Sequence, residues 1–322
     1  MFVFCIESSH TRGLGHLYRS LTLADELARR GRSVCFAVNR HQASHDIIKA
    51  RGFAVYGYDM SAEAGSWELE LIRSLGSAKI WINDRLNTQP AHAKAVVAAG
   101  LKLVTFDDRG DGAALADLNI SALVFEDIAE LKGKDVRSGV EFMILNPEIE
   151  LYRRHRDNLT SVLVTMGGAD TYGVTIKVAQ WLRDNSMCAT IVTGPAFQHK
   201  GELDAILTDK TEGVLTHLGA VASLAQEMAR HDLAITGGGV TPFEACAGGL
   251  PCIVIANEDF EIPVGWALEK LGCARFAGHH RTFDLAPVFE DLPIRTMSLA
   301  ALDAVDLEGV RRVGGLIRRL EI

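Results

Sequence analysis

The feature that most constrains this chain is a rhythm that runs through it twice. Residues 2–6 form a wholly apolar run, then a glycine-bearing turn, then a segment of helical period from about 16 to 30 that stops before Gly31. Apolar runs at 33–38, 53–58, 80–83 and 101–106 continue the series, with helical segments at 43–51, 67–75 and 90–99 between them. Strand, helix, strand at this spacing predicts a parallel sheet covered on both faces. From about 108 to 158 the chain reads as irregular and polar. A second series opens at 161–165 and again ends in a glycine turn, Gly167-Gly168. Strands at 189–193, 233–235 and 252–255 follow, with helices at 175–183, 220–229 and 241–247. The expected fold class is α/β, with two Rossmann-like doubly wound domains over residues 1–150 and 151–305. A final amphipathic helix, 306–322, is expected to pack across the domains; its Arg311, Arg312, Arg318 and Arg319 are read as serving that packing rather than nucleic-acid binding. Ligands of such sheets lie beyond the carboxyl ends of the strands, so two facing halves place the site in a central cleft.

A length of 322 residues suits two domains. The formal net charge of −8 works against nucleic acid as a partner and leaves a small molecule as the default. No apolar stretch of membrane-spanning length occurs, so no integral membrane segment is expected. The start, MFVFCIESSH, lacks the basic opening and long apolar core of a signal peptide. Six cysteines show no CxxC pair, and most sit in apolar runs, which favours a reducing, cytoplasmic setting. Oligomeric state is left open.

Four clusters are candidates for chemistry. Gly13-Leu14-Gly15-His16 falls between the first strand and first helix, where glycines let the backbone approach a ligand and free N–H groups favour an anion. His16 is open to two readings, a base facing the ligand or a helix-start residue bonded to its own loop. Gly237-Gly238-Gly239-Val240-Thr241-Pro242 follows a strand and describes a loop that can clasp a diphosphate. Glu244, one turn on, is placed either to accept ribose hydroxyls or to complement the helix dipole. Met166-Gly167-Gly168-Ala169-Asp170 repeats the glycine turn in the second half, with Asp170 a ligand or a helix cap. Asp84, Asp107, Asp108 and Arg109 stand at strand ends and suit a sugar or loop bracing better than a metal, since no histidine shows ligand spacing beside them. His279-His280 reads as solvated surface.

Taken together these pieces resemble a known family. Ser8-Ser9 followed by GLGHLYRSLTLADELARRG is similar to the opening of the UDP-sugar hydrolase of pseudaminic acid biosynthesis, whose usual form is close to GxGHxxRxLxLAxxL. Phe106-Asp107-Asp108, Ala116-Asp117, the Met166–Asp170 run and His231-Asp232-Leu233-Ala234-Ile235 follow in the family's order. ITGGGVTPFEACAGGLPCIVI matches its nucleotide-binding segment and, more loosely, that of the lipid II-forming N-acetylglucosaminyltransferase. The resemblance covers about residues 1–275. It implies a GT-B architecture holding a UDP-sugar, with His16 activating a water, and with no metal and no cofactor. Glu244 takes the ribose, while Gly15, Gly167, Gly168, Gly237, Gly238, Gly239 and Thr241 hold the nucleotide and its diphosphate. The sugar is expected against Asp84, Asp108, Asp259 and Phe260. Relatives often carry Arg-x-Asp in the first strand and Asn-Gln after the later one; here those stretches read Phe4-Cys5-Ile6-Glu7 and Asp259-Phe260-Glu261. The expected function is hydrolysis of a UDP-linked (acetamido)deoxy-sugar to free sugar and UDP, in surface-glycan or nonulosonic acid biosynthesis. A glycosyltransferase on the same scaffold and a non-catalytic nucleotide-sugar binding protein are the alternatives. Base choice is assigned to backbone near His217–Ala220.

Overall fold

A computed structural model describes residues 1–7, 15–60, 65–123, 130–168, 170–208 and 215–321. Ser8, Ser9, Gly13, Leu14 and Ala169 of the motifs above lie outside these. The chain divides into two compact units, Met1–Leu145 with Glu308–Ile322, and Asn146–Leu307.

The first unit runs β1 (Phe2–Ile6), α1 (Gly15–Arg29), β2 (Val34–Asn39), α2 (Gln42–Ala50), β3 (Ala54–Tyr58), α3 (Ser66–Leu75), β4 (Ile80–Asp84), α4 (Pro90–Ala98), β5 (Lys102–Phe106), β6 (Leu118–Ser121) and β7 (Val136–Ser138). Its strands pair in parallel in the order β3-β2-β1-β4-β5-β6-β7. Alternation along β1 explains the two layers. Phe2, Phe4 and Ile6 face a core shared with Leu17, Leu21 and Leu27 of α1, and Phe4 stacks on Phe36 at 5.1 Å. Val3 and Cys5 face the other way, against Trp67, Leu71, Trp81 and Ala93. Each such side chain removed from water contributes about 1.5–3 kcal/mol.

The second unit runs β8 (Val162–Thr165), α5 (Val174–Asp184), β9 (Ala189–Val192), α6 (Lys200–Thr208), β10 (Leu215–Leu218), α7 (Leu224–Met228), β11 (Leu233–Gly237), α8 (Thr241–Ala247), β12 (Cys252–Ala256), α9 (Ile262–Lys270), β13 (Ala274–His279), α10 (Ala286–Phe289) and α11 (Ile294–Ala304). The sheet order is β10-β9-β8-β11-β12-β13, again parallel. In both sheets the order reverses beside the first strand, at β1/β4 and at β8/β11. Those are the crevices where such sheets take ligands.

Several elements depart from the sequence reading. The stretch read as irregular supplies β6 and β7, which are too short, at four and three residues, to show a period. In the second unit β10, β13, α6, α9, α10 and α11 join those read from the sequence. The helix expected from 220 begins later because Ser223 caps it, its hydroxyl accepting the Gln226 N–H at 3.0 Å.

The last helix, α12 (Gly309–Arg319), belongs to the first unit. Val310, Val313 and Ile317 complete the core beneath α1, and Gly314 lies against Leu23 and Glu26. Its apolar face, expected to pack across the domains, is thus taken up by one of them.

The lead-in to β8 is fastened by Arg156, a fully buried guanidinium that donates to the carbonyls of Met228, His231, Gly248 and Arg154. Close by, Gly249 has a φ of +75°, and a Cβ there would strike the Arg154 carbonyl oxygen and Leu302. Gly249→Ala is expected to destabilise the chain by about 1–3 kcal/mol through strain and overpacking, read as a lower denaturant midpoint.

Candidate active site

His16 is the second residue of α1. Across the β1/β4 crevice stands Asp84, the last residue of β4, whose Cα pairs with that of Ile6. The His16 Nδ1 lies 2.7 Å from Asp84 Oδ1. Asp84 is buried and also accepts Arg19 Nε at 2.7 Å, a second Arg19 N–H, and the Ser20 hydroxyl at 3.1 Å. Burial opposes its ionisation, but the Arg19 charge and these donors outweigh it and hold the carboxyl well below the ordinary range. Asp84 is therefore an anion, and its shorter contact with Nδ1, against 3.2 Å from an Arg19 N–H to the same nitrogen, favours the tautomer with the proton on Nδ1 and the lone pair on Nε2. The His16 side chain retains 21% of its exposure. An oriented imidazole whose Nε2 has no partner among the described residues is the arrangement of a general base.

Arg19 sits one turn after His16, on the same helical face. Its guanidinium bridges Asp84 and Asp107 and lies over the Phe106 ring, 5.3 Å from the centroid. Asp107 adopts a φ of +48° and also accepts the Ala122 N–H at 3.0 Å. This corrects the sugar-binding role read for Asp84: its oxygens are filled by four side-chain contacts from α1. Asp108 is corrected likewise. It is fully buried and accepts the Thr88 and Gly110 N–H groups at 3.0 and 2.8 Å together with the Thr88 hydroxyl, so it braces a turn. Gly15 opens α1, where a Cβ would meet nothing within 4 Å.

In the second unit the glycine loop leaves β11 beside the β8/β11 crevice. Gly238 is sterically required, since a Cβ would stand 2.6 Å from Glu261 Cβ and 3.0 Å from its carbonyl oxygen. The Glu261 carboxylate accepts the Gly238 and Asn257 N–H groups at 3.2 and 2.7 Å. Gly239 is open, its nearest neighbour being Glu261 at 3.9 Å, and Thr241 begins α8. The Glu244 carboxyl has no hydrogen-bond or ion-pair partner among the described residues, and burial pushes it up to about 7. A half-buried carboxyl without a partner is a vacant acceptor for hydroxyl groups. Gly167 has a φ of +84°, and the Gly168 carbonyl accepts the Ala196 N–H. Asp170 accepts the first two N–H groups of α5, at 2.9 and 2.8 Å, so it serves as the cap.

Asp259 and Phe260 stand on an exposed turn, 88% and 68% accessible, with Asp259 only 3.6 Å from His279 as an ion partner. Among the described residues no polar network holds them toward a ligand. The residue the sequence reading passed over is Asn257, first beyond β12: its Oδ1 is buried without a partner and its amide nitrogen is the atom a Gly237 Cβ would strike, at 2.7 Å. His280 is not solvated surface. It is buried, bonded through Nδ1 to the Asn257 carbonyl at 2.7 Å and stacked on Tyr172 at 3.9 Å, whose hydroxyl donates to Glu258. The His217 ring meets the Thr193 hydroxyl at 2.9 Å. No metal-like cluster of three or more His, Cys, Asp or Glu occurs among the described residues.

No protein-family model matches the chain. An uncharacterized protein of Methanocaldococcus jannaschii is 27% identical over 79% of this chain, which spans 55% of that relative's length. The spore coat polysaccharide biosynthesis protein SpsG of Bacillus subtilis is 22% identical across 98% of this chain and 96% of its own. Among solved structures, MurG of Acinetobacter baumannii superposes with a TM-score of 0.73 over 99% of both chains at 15% identity. The fold is GT-B. Anabaena HepE, solved with UDP and glucose, gives 0.64 over 98% of this chain and 99% of its own at 14% identity. Among the described residues no helix is long and apolar enough to cross a membrane.

Proposed function

We propose that the chain is an enzyme that cleaves a nucleotide-sugar, with water as the attacking group. The observation that carries this reading is the His16–Asp84 pair: an imidazole held through Nδ1, with Nε2 unbonded among the described residues. His16 removes a proton from water as the water oxygen bonds to the anomeric carbon. The bond from that carbon to the diphosphate breaks, and its electron pair leaves on the diphosphate oxygen. Asp84 stabilises the imidazolium that forms, and Arg19 keeps Asp84 ionised and in place. The Gly238 N–H being taken up by Glu261, the Gly239 N–H and the start of α8 stabilise the leaving diphosphate, and Glu244 accepts the ribose hydroxyls. The likeness of the fold to glycosyltransferases supports a second reading, in which an acceptor hydroxyl replaces water and His16 takes its proton instead. A product assay with donor alone separates the two. Steady release of nucleoside diphosphate supports hydrolysis, and release that depends on an added acceptor supports transfer.

Glu244 provides a test by pH. Ribose hydroxyls donate to the ionised carboxylate, so binding favours the deprotonated form. Affinity for UDP is therefore expected to rise with pH through about 7 and then level off, while Glu244→Gln flattens the profile. Calorimetric titration between pH 5.5 and 8.5 (about one and a half units on either side) checks this, and an unchanged profile in the variant removes Glu244 from the nucleotide site.

A further inference from the structure

One polar side chain beside the glycine loop is unused by the reading above. Asn257 follows β12 and is half-buried. Its Oδ1 is closed off from water and has no partner. Its Nδ2 makes no hydrogen bond either, but it keeps access to solvent. A side-chain amide inside a fold is ordinarily paired at both ends. Asn83 of the first unit is, its Oδ1 accepting Trp81 Nε1 at 2.8 Å and its Nδ2 donating to Thr88 at 3.0 Å. An unpaired amide costs stability, and such costs gather where a ligand is bound.

The backbone that carries this amide is fixed on three sides. The Asn257 N–H donates to Glu261 at 2.7 Å, the Asn257 carbonyl accepts His280 Nδ1 at 2.7 Å, and the preceding Ala256 carbonyl accepts the His280 N–H at 2.8 Å. Within that frame the amide nitrogen reaches the end of β11. The point a Gly237 Cβ would occupy lies 2.7 Å from Nδ2 and 4.0 Å from the carbonyl oxygen of Met166, first beyond β8. The nitrogen therefore stands at the head of the glycine loop, on the side of β11 that meets β8. Glycine at 237 leaves it that room.

With its oxygen turned inward and its nitrogen outward, the amide can donate but not accept. An ionised phosphate oxygen, which only accepts, matches it better than a sugar hydroxyl, which gains by donating as well. Glu261 takes up the Gly238 N–H, so a donor from outside the loop adds to what the loop offers. We propose that Asn257 Nδ2 donates to a phosphate oxygen of the leaving diphosphate. This rests on the nucleotide-sugar reading and adds to it a side chain that holds the departing group. No proton is transferred at Asn257. As the bond to the anomeric carbon breaks, charge builds on the diphosphate and the N–H···O bond strengthens.

The test compares the unmodified chain with Asn257→Ala and Asn257→Asp. Calorimetry measures binding of UDP, UDP-glucose and uridine, and phosphorus NMR reads the bound UDP. The near-UV circular dichroism of Trp181 and Trp266, which pack on Phe289 and Phe276 of the same unit, reports whether each variant is folded. UDP affinity is expected to fall about tenfold or more in Asn257→Ala, and further in Asn257→Asp, where a negative oxygen replaces the donor. Uridine affinity stays within about twofold, and the phosphorus resonances of bound UDP move between the unmodified chain and Asn257→Ala. The thermal midpoint of Asn257→Ala without ligand is unchanged or raised, since an unpaired buried oxygen has been removed. A loss confined to the phosphorylated ligands supports the inference in either variant. Unchanged UDP affinity with a lowered midpoint shows a brace and overturns it. Weaker binding of UDP-glucose with UDP unaffected assigns the amide to the sugar, and equal losses for uridine and UDP assign it to the nucleoside; both overturn it while the nucleotide reading stands. Failure of the unmodified chain to bind UDP overturns the nucleotide reading and this inference with it.

Discussion

His16→Ala is expected to lower turnover by a factor on the order of 10²–10⁴, with UDP affinity within about twofold of the parent. The size follows from what His16 does in the proposed step. Without a base, neutral water must attack the anomeric carbon, while the diphosphate contacts on the second unit remain. Asp84→Asn tests the same claim from behind. The amide cannot anchor an imidazolium, and it leaves the buried Arg19 with Asp107 as its only carboxylate partner. A loss of the same order in kcat is expected, together with a stability cost of about 3–5 kcal/mol from the disturbed ion pair. The acid limb of stability should change as well. Asp84 titrates below its unfolded value, so its stabilising contribution is complete above about pH 4 and fades as the pH falls further. Asp84→Asn removes that fading. Parallel losses of UDP affinity and of turnover in His16→Ala would show instead that the ring positions substrate and does not take the proton.

Gly238→Ala carries the second largest expected effect. The added methyl has to push away the Glu261 backbone and side chain, breaking the two N–H bonds that Glu261 accepts from Gly238 and Asn257. On the proposed function the loop then loses the shape that presents the Gly239 amide to a diphosphate. Each charge-assisted bond contributes about 1.5–3 kcal/mol, so the affinity for UDP should fall by roughly tenfold to a hundredfold or more. Gly239→Ala is the matched control: a methyl at that position has room, and UDP affinity should stay within about threefold. Equal affinities in the two variants would remove the glycine loop from the nucleotide site.

The two sheets were legible because their central strands are short, mainly apolar runs set between segments of helical period. β1, β4, β8 and β11 are buried on both faces, and burial leaves its mark in composition. Edge strands are partly exposed and short, which is why β7 and β10 carry no comparable pattern. The same limit governs the site. His16 was visible because a glycine turn announces a strand-to-helix junction. Arg19 was quoted within that motif, and its position three residues after His16 was the signal that the two share a face. The partnership of Asp84 with both was not visible, because it depends on β4 lying beside β1, a pairing of residues far apart in the chain. The opposite error befell Asp108 and Asp259. Strand-end acids look alike in sequence, and only hydrogen-bond partners distinguish a brace, an anchor and a bystander.

The return of α12 to the first unit has a consequence for how the protein is made. Residues 1–145 leave the ribosome without the segment that supplies Val310, Val313 and Ile317 to their interior. The hydrophobic cavity they leave under α1 stays unfilled until synthesis has passed through the entire intervening unit. The earlier-born half is therefore the later to reach its final packing, and an amino-terminal fragment ending at 145 would need the carboxy-terminal helix supplied, in the same polypeptide or as a separate peptide, to become solid.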